Sequence, residues 1–248
     1  GAERAHLLVE AMKSALVDRN AHVGDPDTMP FPARALLADD WVERRRASID
    51  PDHASTPKPD PGPNGGTAYL CAADSDGLLV SLIQTNFTAA GSGIRVDDWG
   101  INLQNRGSSF RFDEAHPNGL GGGKLPMHTL IPAMARRDDR PVLVFGAMGG
   151  HTQAQTHLQM LTRMGHDGDD PQVAITAPRW AVDPDDWHVN AESRFGEDLV
   201  DGLRRLGHDV RIARPYDDAM GHAHAIECLP RGYRAATDPR AEGAAGGL

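Results

Sequence analysis

Asn64-Gly65-Gly66-Thr67-Ala68-Tyr69-Leu70-Cys71-Ala72-Ala73-Asp74-Ser75-Asp76-Gly77-Leu78-Leu79-Val80-Ser81-Leu82-Ile83-Gln84-Thr85 is the stretch at which the character of the chain changes. Upstream, residues 50–66 set Pro51, Pro57, Pro59, Pro61 and Pro63 among Asp, Ser, Lys and Gly. That composition has too few apolar side chains to build a core and predicts an exposed, mobile linker. Downstream, residues 69–73 and 78–85 read as strands joined across Asp76-Gly77, a hairpin turn signal. A threonine therefore stands between a permissive Gly-Gly pair and the start of a strand.

That position carries a specific chemistry. A threonine hydroxyl is a poor nucleophile at neutral pH and needs a base to take its proton. If the bond between Gly66 and Thr67 breaks, the new α-amine of Thr67 supplies that base, because an α-amine has a pKa of roughly 8 and is partly neutral near pH 7. Nucleophile and base then share one residue, and no His or Asp partner is required. Gly-Gly-Thr alone is also what an ordinary turn contains.

Working outward, residues 3–19 predict a helix, with Leu8, Met12, Ala15 and Leu16 at helical spacing. Asp25-Pro26-Asp27 and Met29-Pro30-Phe31-Pro32 interrupt the chain, and a second short helix is expected over 33–48. Beyond the hairpin, residues 100–104 read as a strand, 105–127 as loop and 141–145 as a buried strand. Residues 152–164 read as a helix with Ala154, Leu158 and Leu161 on one stripe and Gly165 as its stop. A further helix is expected over 196–206, with closing strands at 209–213, 223–229 and 232–236. Hairpins imply antiparallel sheet layers covered by helices, an α+β class without βαβ alternation.

The chain has 248 residues, 40% hydrophobic, with a net charge of −10. It is long enough for a real core and too acidic for nucleic acid to be its main partner. No apolar run of about 18 residues is present to span a bilayer as a helix. The chain opens on Gly1-Ala2-Glu3-Arg4, without Met or an apolar signal region, and reads as a fragment beginning inside a longer protein. A soluble protein is expected, and cytoplasmic, periplasmic and secreted locations all remain open. Cys71 and Cys228 either pair or remain buried free thiols, the second being the plainer reading.

An ordered set of motifs resembles the gamma-glutamyltransferase family. It comprises Gly66-Thr67-Ala68-Tyr69-Leu70, Asp76-Gly77, Val80-Ser81 with Thr85, Gly100-Ile101-Asn102-Leu103-Gln104-Asn105, and residues 126–132, Pro-Met-His-Thr-Leu-Ile-Pro. It continues with Gly146-Ala147-Met148-Gly149-Gly150, Ala177-Pro178-Arg179 and Ala236-Thr237-Asp238-Pro239-Arg240, while residues 3–26 are similar to the end of the family's large subunit. The resemblance covers essentially the whole chain. It implies a four-layer αββα N-terminal nucleophile (Ntn) hydrolase fold, incomplete in this chain. It divides the sequence into 1–49, the C-terminal part of a large subunit; 50–66, a linker ending at an autocleavage site; and 67–248, a small catalytic subunit. It also implies a precursor that cuts itself between Gly66 and Thr67, then moves a gamma-glutamyl group from amides such as glutathione to water or an amino acid. Thr67 takes the nucleophile's place, and Thr85 that of a second threonine supporting it. Gly149 and Gly150 match glycines whose N–H groups hold the oxyanion, where losing one donor typically costs about 3–4 kcal/mol. No cofactor is implied. The partners implied are a small-molecule amide and the remainder of the large subunit, which in the family contributes an arginine.

Several pocket positions depart from the family pattern. Tyr69 stands where His is common. Phe87 stands where the family places Asn, with Asn86 one residue earlier. Ser109 replaces the acidic residue that grips the substrate's α-ammonium, and His128 and Thr129 replace paired serines. Losing a carboxylate that meets an ammonium forfeits a charge-assisted hydrogen bond. The expectation is an acyl preference moved from glutamyl toward a glutaryl-like or other dicarboxylic group, with Arg106 and His128 on its carboxylate. The alternatives are a cephalosporin-acylase-like amidase and a non-catalytic binding protein.

Other signals are weaker. Residues 119–124 imitate a phosphate loop but lack the Ser or Thr after Lys124. His222 and His224 share a strand face without an obvious third ligand. Asp138-Asp139 and Asp169-Asp170 read as solvated turns. Trp180 and Trp187 are expected to pack a loop, and His151 to sit in the first turn of a helix or touch substrate.

Overall fold

The structure is a computed structural model and describes residues 1–58 and 66–247. Helix α1 (Ala2–His22) buries Ala5, Val9, Met12 and Leu16, the i, i+4, i+7, i+11 stripe of a core-facing helix. It runs past the expected end. The second expected helix is broken at Ala38 (ψ 142°) into a 3₁₀ turn (Ala33–Leu37) and α2 (Asp39–Ala47). The hairpin is present as β1 (Gly66–Ala73) and β2 (Leu79–Phe87). The expected strand at 100–104 shrinks to β4 (Ile101–Asn102), paired with β3 (Arg95–Val96).

Strand β5 (Ala133–Arg137) turns through Asp138 and Asp139, both at positive φ, into β6 (Arg140–Met148). Helix α3 (Thr152–Thr162) continues as a π turn (Arg163–Asp167) and stops at Gly168 (φ 76°), so Gly165 is not the stop. Helix α4 (Pro171–Thr176) follows, β7 (Trp180–Val182) and β8 (Val189–Glu192) form a hairpin, and α5 (Glu197–Arg205) leads to β9 (Val210–Ala213). Strands β10 (His222–Cys228) and β11 (Tyr233–Thr237) close the fold.

Two sheets stack face to face. One has the order β11-β10-β6-β5, all antiparallel; the other is the β1-β2 hairpin. Alternate residues of β6 point opposite ways: Leu143, Phe145 and Ala147 join Met160 and Ile175 of α3 and α4 in one core cluster. Gly146 faces β1, where Tyr69 lies against it; a Cβ at 146 would sit 2.2 Å from the tyrosine ring. Helices thus cover one side of the pair. On the outer face of β1-β2, Leu70, Val80 and Leu82 remain exposed.

The third sheet, β7-β8-β9, departs from the all-antiparallel expectation. Strands β8 and β9 are parallel, so β8-α5-β9 is a βαβ crossover. Its core joins α1 to Trp180, Trp187, Val189, Leu203 and Val210, making both tryptophans core residues and Trp180 a strand residue. Strand β7 is an edge, and α3 satisfies it with side chains. Gln155 accepts from Val182 N (2.7 Å) and donates to Val182 O (2.9 Å), and Gln159 does the same for Trp180 (3.0 and 2.9 Å). This is why the buried face of α3 carries glutamines while Leu161, expected on the buried stripe, is 38% exposed.

The described part of the linker is tied down rather than loose. His6 Nε2 bonds Asp50 O (2.8 Å), Lys13 Nζ donates to Ser55 O (2.7 Å), and Ser55 N donates to Glu10 (3.1 Å). Residues 59–65, with most of the Pro-rich run, lie outside the described residues. Cys71 and Cys228 are free and half-buried rather than fully buried. Asp170 is no mere turn residue, since it caps α4 by accepting from Val173 N (2.9 Å); Asp169 pairs with Arg163 (2.6 Å).

Candidate active site

Thr67 lies near the start of β1, where the pairing with β2 is irregular. Gly66 pairs with Phe87 and Thr67 with Thr85, so Asn86 is an extra residue opposite the Gly66–Thr67 peptide. A β-bulge at this point bends the strand and re-aims the neighbouring side chains. Thr85 Oγ1 consequently meets three groups. It donates to Gly66 O (2.6 Å), accepts from Thr67 Oγ1 (3.1 Å) and accepts from Phe87 N (2.8 Å). A hydroxyl has one proton to give, and Gly66 O, which can only accept, takes it; Thr67 must therefore be the donor of the hydroxyl pair.

Phe87 ends β2 with φ 78°, a left-handed conformation uncommon for a bulky side chain. Its ring is 2% exposed and carries the Arg106 guanidinium 3.9 Å above its centroid. Arg106 Nη1 also reaches Thr129 Oγ1 at 3.4 Å. Arg106 is itself 7% exposed, and among the described residues no carboxylate pairs with it. Burial draws its pKa down. His128 is lowered too, first by burial and then by Arg106, which favours the neutral imidazole. Thr67, Thr85, Phe87, Arg106 and Thr129 form one continuous run of contacts, and Phe87 is the link between its ends.

Ser109 is placed differently from the others. Its hydroxyl faces two carbonyls, Arg106 O and Met127 O, both at 2.9 Å, and holds the 106–109 turn against the loop before β5. Asn86 accepts from Asn105 N (3.1 Å) through its carbonyl, and Asn105 in turn binds Thr88 N and Gly91 O, fixing the loop after β2. Gly149 (φ 131°) and Gly150 (φ 56°) follow β6 directly; a Cβ on Gly149 would lie 2.2 Å from Thr152 Oγ1. A cavity of about 420 Å³ opens beside Gly149, with Asp217 and Asp218 on its wall; Thr67 is not part of that wall. His151 is buried at the start of α3, its Nδ1 accepting from Arg19 (2.9 Å).

His224 bonds Thr237 (3.0 Å) and stacks on Tyr69, whose hydroxyl pairs with Ser81 (2.9 Å). Among the described residues, the one group of three with metal-ligand reach is His6, Glu10 and His208 rather than His222 and His224. Its Glu10 carboxylate is already paired with the Lys13 ammonium at 2.9 Å.

The profile of the gamma-glutamyltranspeptidase family matches residues 1–248, the entire chain. The chain is 40% identical over 252 residues to the oxamate amidohydrolase proenzyme of Klebsiella pneumoniae, and 37% identical over the same length to a glutathione hydrolase-like proenzyme of Bacillus subtilis. Each alignment covers 99% of this chain and 47% of the relative, so the chain spans about half the length of either. In structure it is similar to a cephalosporin acylase from Bacillus halodurans, with a TM-score of 0.89 at 37% identity, over 97% of this chain and 44% of that one.

Proposed function

The chain belongs to the gamma-glutamyltranspeptidase family and has its N-terminal nucleophile hydrolase fold, and from that premise we propose that it is the catalytic part of a self-processing amidohydrolase or acyltransferase with Thr67 as nucleophile. The observation that carries the proposal is the arrangement of hydroxyls on the Gly66–Thr67 peptide. In the uncut chain Thr67 Oγ adds to the Gly66 carbonyl carbon. Its proton passes to Thr85 Oγ1, and the Thr85 proton passes to Gly66 O, neutralising the forming oxyanion. The C–N bond then breaks, the nitrogen takes back a proton, and an ester remains on Thr67. The α-amine is free from that point, and water hydrolyses the ester, releasing the Gly66 carboxylate and restoring the Thr67 hydroxyl.

In the mature enzyme that amine is the base. It takes the Thr67 hydroxyl proton as the oxygen attacks the substrate amide, and it returns the proton to the leaving amine. The backbone N–H groups of Gly149 and Gly150 are assigned to the substrate oxyanion, where fixed donors lower the barrier most. Water, or an acceptor amine, resolves the acyl-enzyme.

The buried Arg106 supports a preference for an acyl group that bears a carboxylate and no α-ammonium. A guanidinium has five N–H donors, and among the described residues its partners are a ring face and one long contact to Thr129. Ser109, with its hydroxyl turned to backbone carbonyls, offers an ammonium no negative charge. Among the relatives, the name oxamate amidohydrolase agrees with a carboxylate-bearing amide donor, and the name cephalosporin acylase with amide hydrolysis in general. Gamma-glutamyl transfer from glutathione is the second reading and rests on the family and on the name of the Bacillus subtilis relative, a glutathione hydrolase-like proenzyme. The rest of the large subunit is the expected partner. Comparing kcat/KM for glutaryl and glutamyl anilides in the full-length protein tests the assignment: a glutaryl preference is expected, and a strong glutamyl preference defeats it.

A further inference from the structure

Phe87 belongs to none of the roles above, yet it touches both halves of the site. Its backbone N–H donates to Thr85 Oγ1 at 2.8 Å, and its ring supports the Arg106 guanidinium at 3.9 Å. The two contacts make different demands. The amide bonds Thr85 across the bulge at Asn86, and the residue's φ of 78° sets where its ring lies relative to that amide. For a bulky side chain that conformation costs on the order of 1–3 kcal/mol and persists only where surrounding contacts over-determine it. Here the ring is almost fully buried, so the packing that fixes the ring also holds the strained backbone. Glycine or asparagine would adopt the same φ with less strain. The presence of phenylalanine therefore points to a task for the ring, and the guanidinium above it identifies that task.

We propose that Phe87 is a positioning residue that couples the nucleophile to the anion anchor, its amide orienting the Thr85 hydroxyl and its ring setting where Arg106 meets the substrate carboxylate. The inference rests on the reading of Thr67 as nucleophile and Arg106 as anchor. Because one rigid residue carries both contacts, the separation between the attacking oxygen and the carboxylate is fixed. The site accordingly discriminates acyl chains by length as well as by charge.

The test separates the two contacts. Phe87→Gly and Phe87→Asn keep access to positive φ but remove the ring. Phe87→Val, β-branched, opposes positive φ and removes the ring as well. In the full-length protein, Phe87→Gly and Phe87→Asn keep access to positive φ without the packing that fixes it, and are expected to self-cleave more slowly than wild type but faster than Phe87→Val. Their KM for a carboxylate-bearing anilide should rise roughly threefold to thirtyfold, the range of a desolvated cation–π contact. KM for the corresponding neutral acyl anilide should not move, and the difference in KM between succinyl and glutaryl anilides should narrow. Phe87→Val should slow self-cleavage further.

In an Arg106→Met background, Phe87→Gly should lose its effect on KM, since the ring acts through the guanidinium. Urea unfolding of each variant identifies any that fails to fold, and the Phe87→Asn and double-variant comparisons then decide the matter. A wild-type-like KM in folded Phe87→Gly and Phe87→Asn overturns the proposal, as does an equal rise for neutral and charged anilides. If the wild-type protein neither self-cleaves nor hydrolyses any anilide, the Thr67 reading itself has failed, an outcome visible before any Phe87 variant is made.

Discussion

Replacing Arg106 by Met sets binding against stability. In the fold, Arg106 gives up water for a ring face at 3.9 Å and one hydroxyl at 3.4 Å, the latter beyond the usual 2.7–3.2 Å range. The cation–π contact contributes about 0.5–2 kcal/mol. Against this stands the desolvation of a charge with no carboxylate partner among the described residues; the same burial lowers its pKa. Methionine keeps the side chain's length and replaces the contact with a sulfur–aromatic one of about 0.3–1.5 kcal/mol. The terms nearly cancel, so the folding free energy of Arg106→Met should lie within about 1 kcal/mol of wild type. Catalysis should respond very differently. A charge-assisted hydrogen bond to a substrate carboxylate is worth about 1.5–3 kcal/mol, which lowers kcat/KM on a carboxylate-bearing anilide roughly tenfold to 150-fold. Urea denaturation and steady-state kinetics on charged and neutral anilides measure both quantities on one preparation. Destabilisation by more than about 2 kcal/mol would show that Arg106 is a structural residue. An equal loss on the neutral anilide would refute the anchor.

Two further predictions concern the scaffold. Glu192 is fully buried and receives Arg240 through two bonds of 2.6 and 2.8 Å, as well as Arg179 N and Asp217 N, both at 3.2 Å. Glu192→Gln leaves the Arg240 charge under-compensated and should cost about 3–5 kcal/mol in urea unfolding; a loss below about 1 kcal/mol would mean that Asp238 alone suffices. His157 and His208 are both pushed down to about 4, chiefly by burial, from an ordinary value of 6.5. Between pH 6.5 and 4 the unfolded chain takes up protons that the folded chain refuses, so stability is complete above this window and falls as pH drops through it. Each histidine should contribute a slope of up to about 1.4 kcal/mol per pH unit, and His157→Leu should remove one share. A flat profile across the window would contradict both burials.

The parts of the molecule legible in the sequence were those governed by local grammar. The Asp76-Gly77 turn, the stripe on α1 and the positive-φ turn at Asp138-Asp139 all declare themselves within a few residues. The family resemblance gives Thr85 the place of a second threonine beside the nucleophile, and the hydroxyls of Thr67 and Thr85 lie 3.1 Å apart. What was not legible depends on distant partners. The β8-α5-β9 crossover leaves little trace in the sequence, because β8 is four residues long and takes its register from β9 across a helix. The apolar stripe of helix α3 predicts a buried Leu161, whereas its buried glutamines serve the backbone of β7. Residues 179, 238 and 240, noticed only as motif matches, form a buried ionic network with Glu192 whose members lie far apart in the chain. Phe87 appeared only as a departure from pattern, because neither its positive φ nor the guanidinium above its ring leaves a mark in the order of residues.

The most direct test is mass spectrometry with N-terminal sequencing of the purified full-length protein. The account predicts a fragment that starts at Thr67 with a free amine, absent from Thr67→Ala. An intact chain, or a fragment with a blocked Thr67 amine, that still hydrolyses amides at full rate would contradict it.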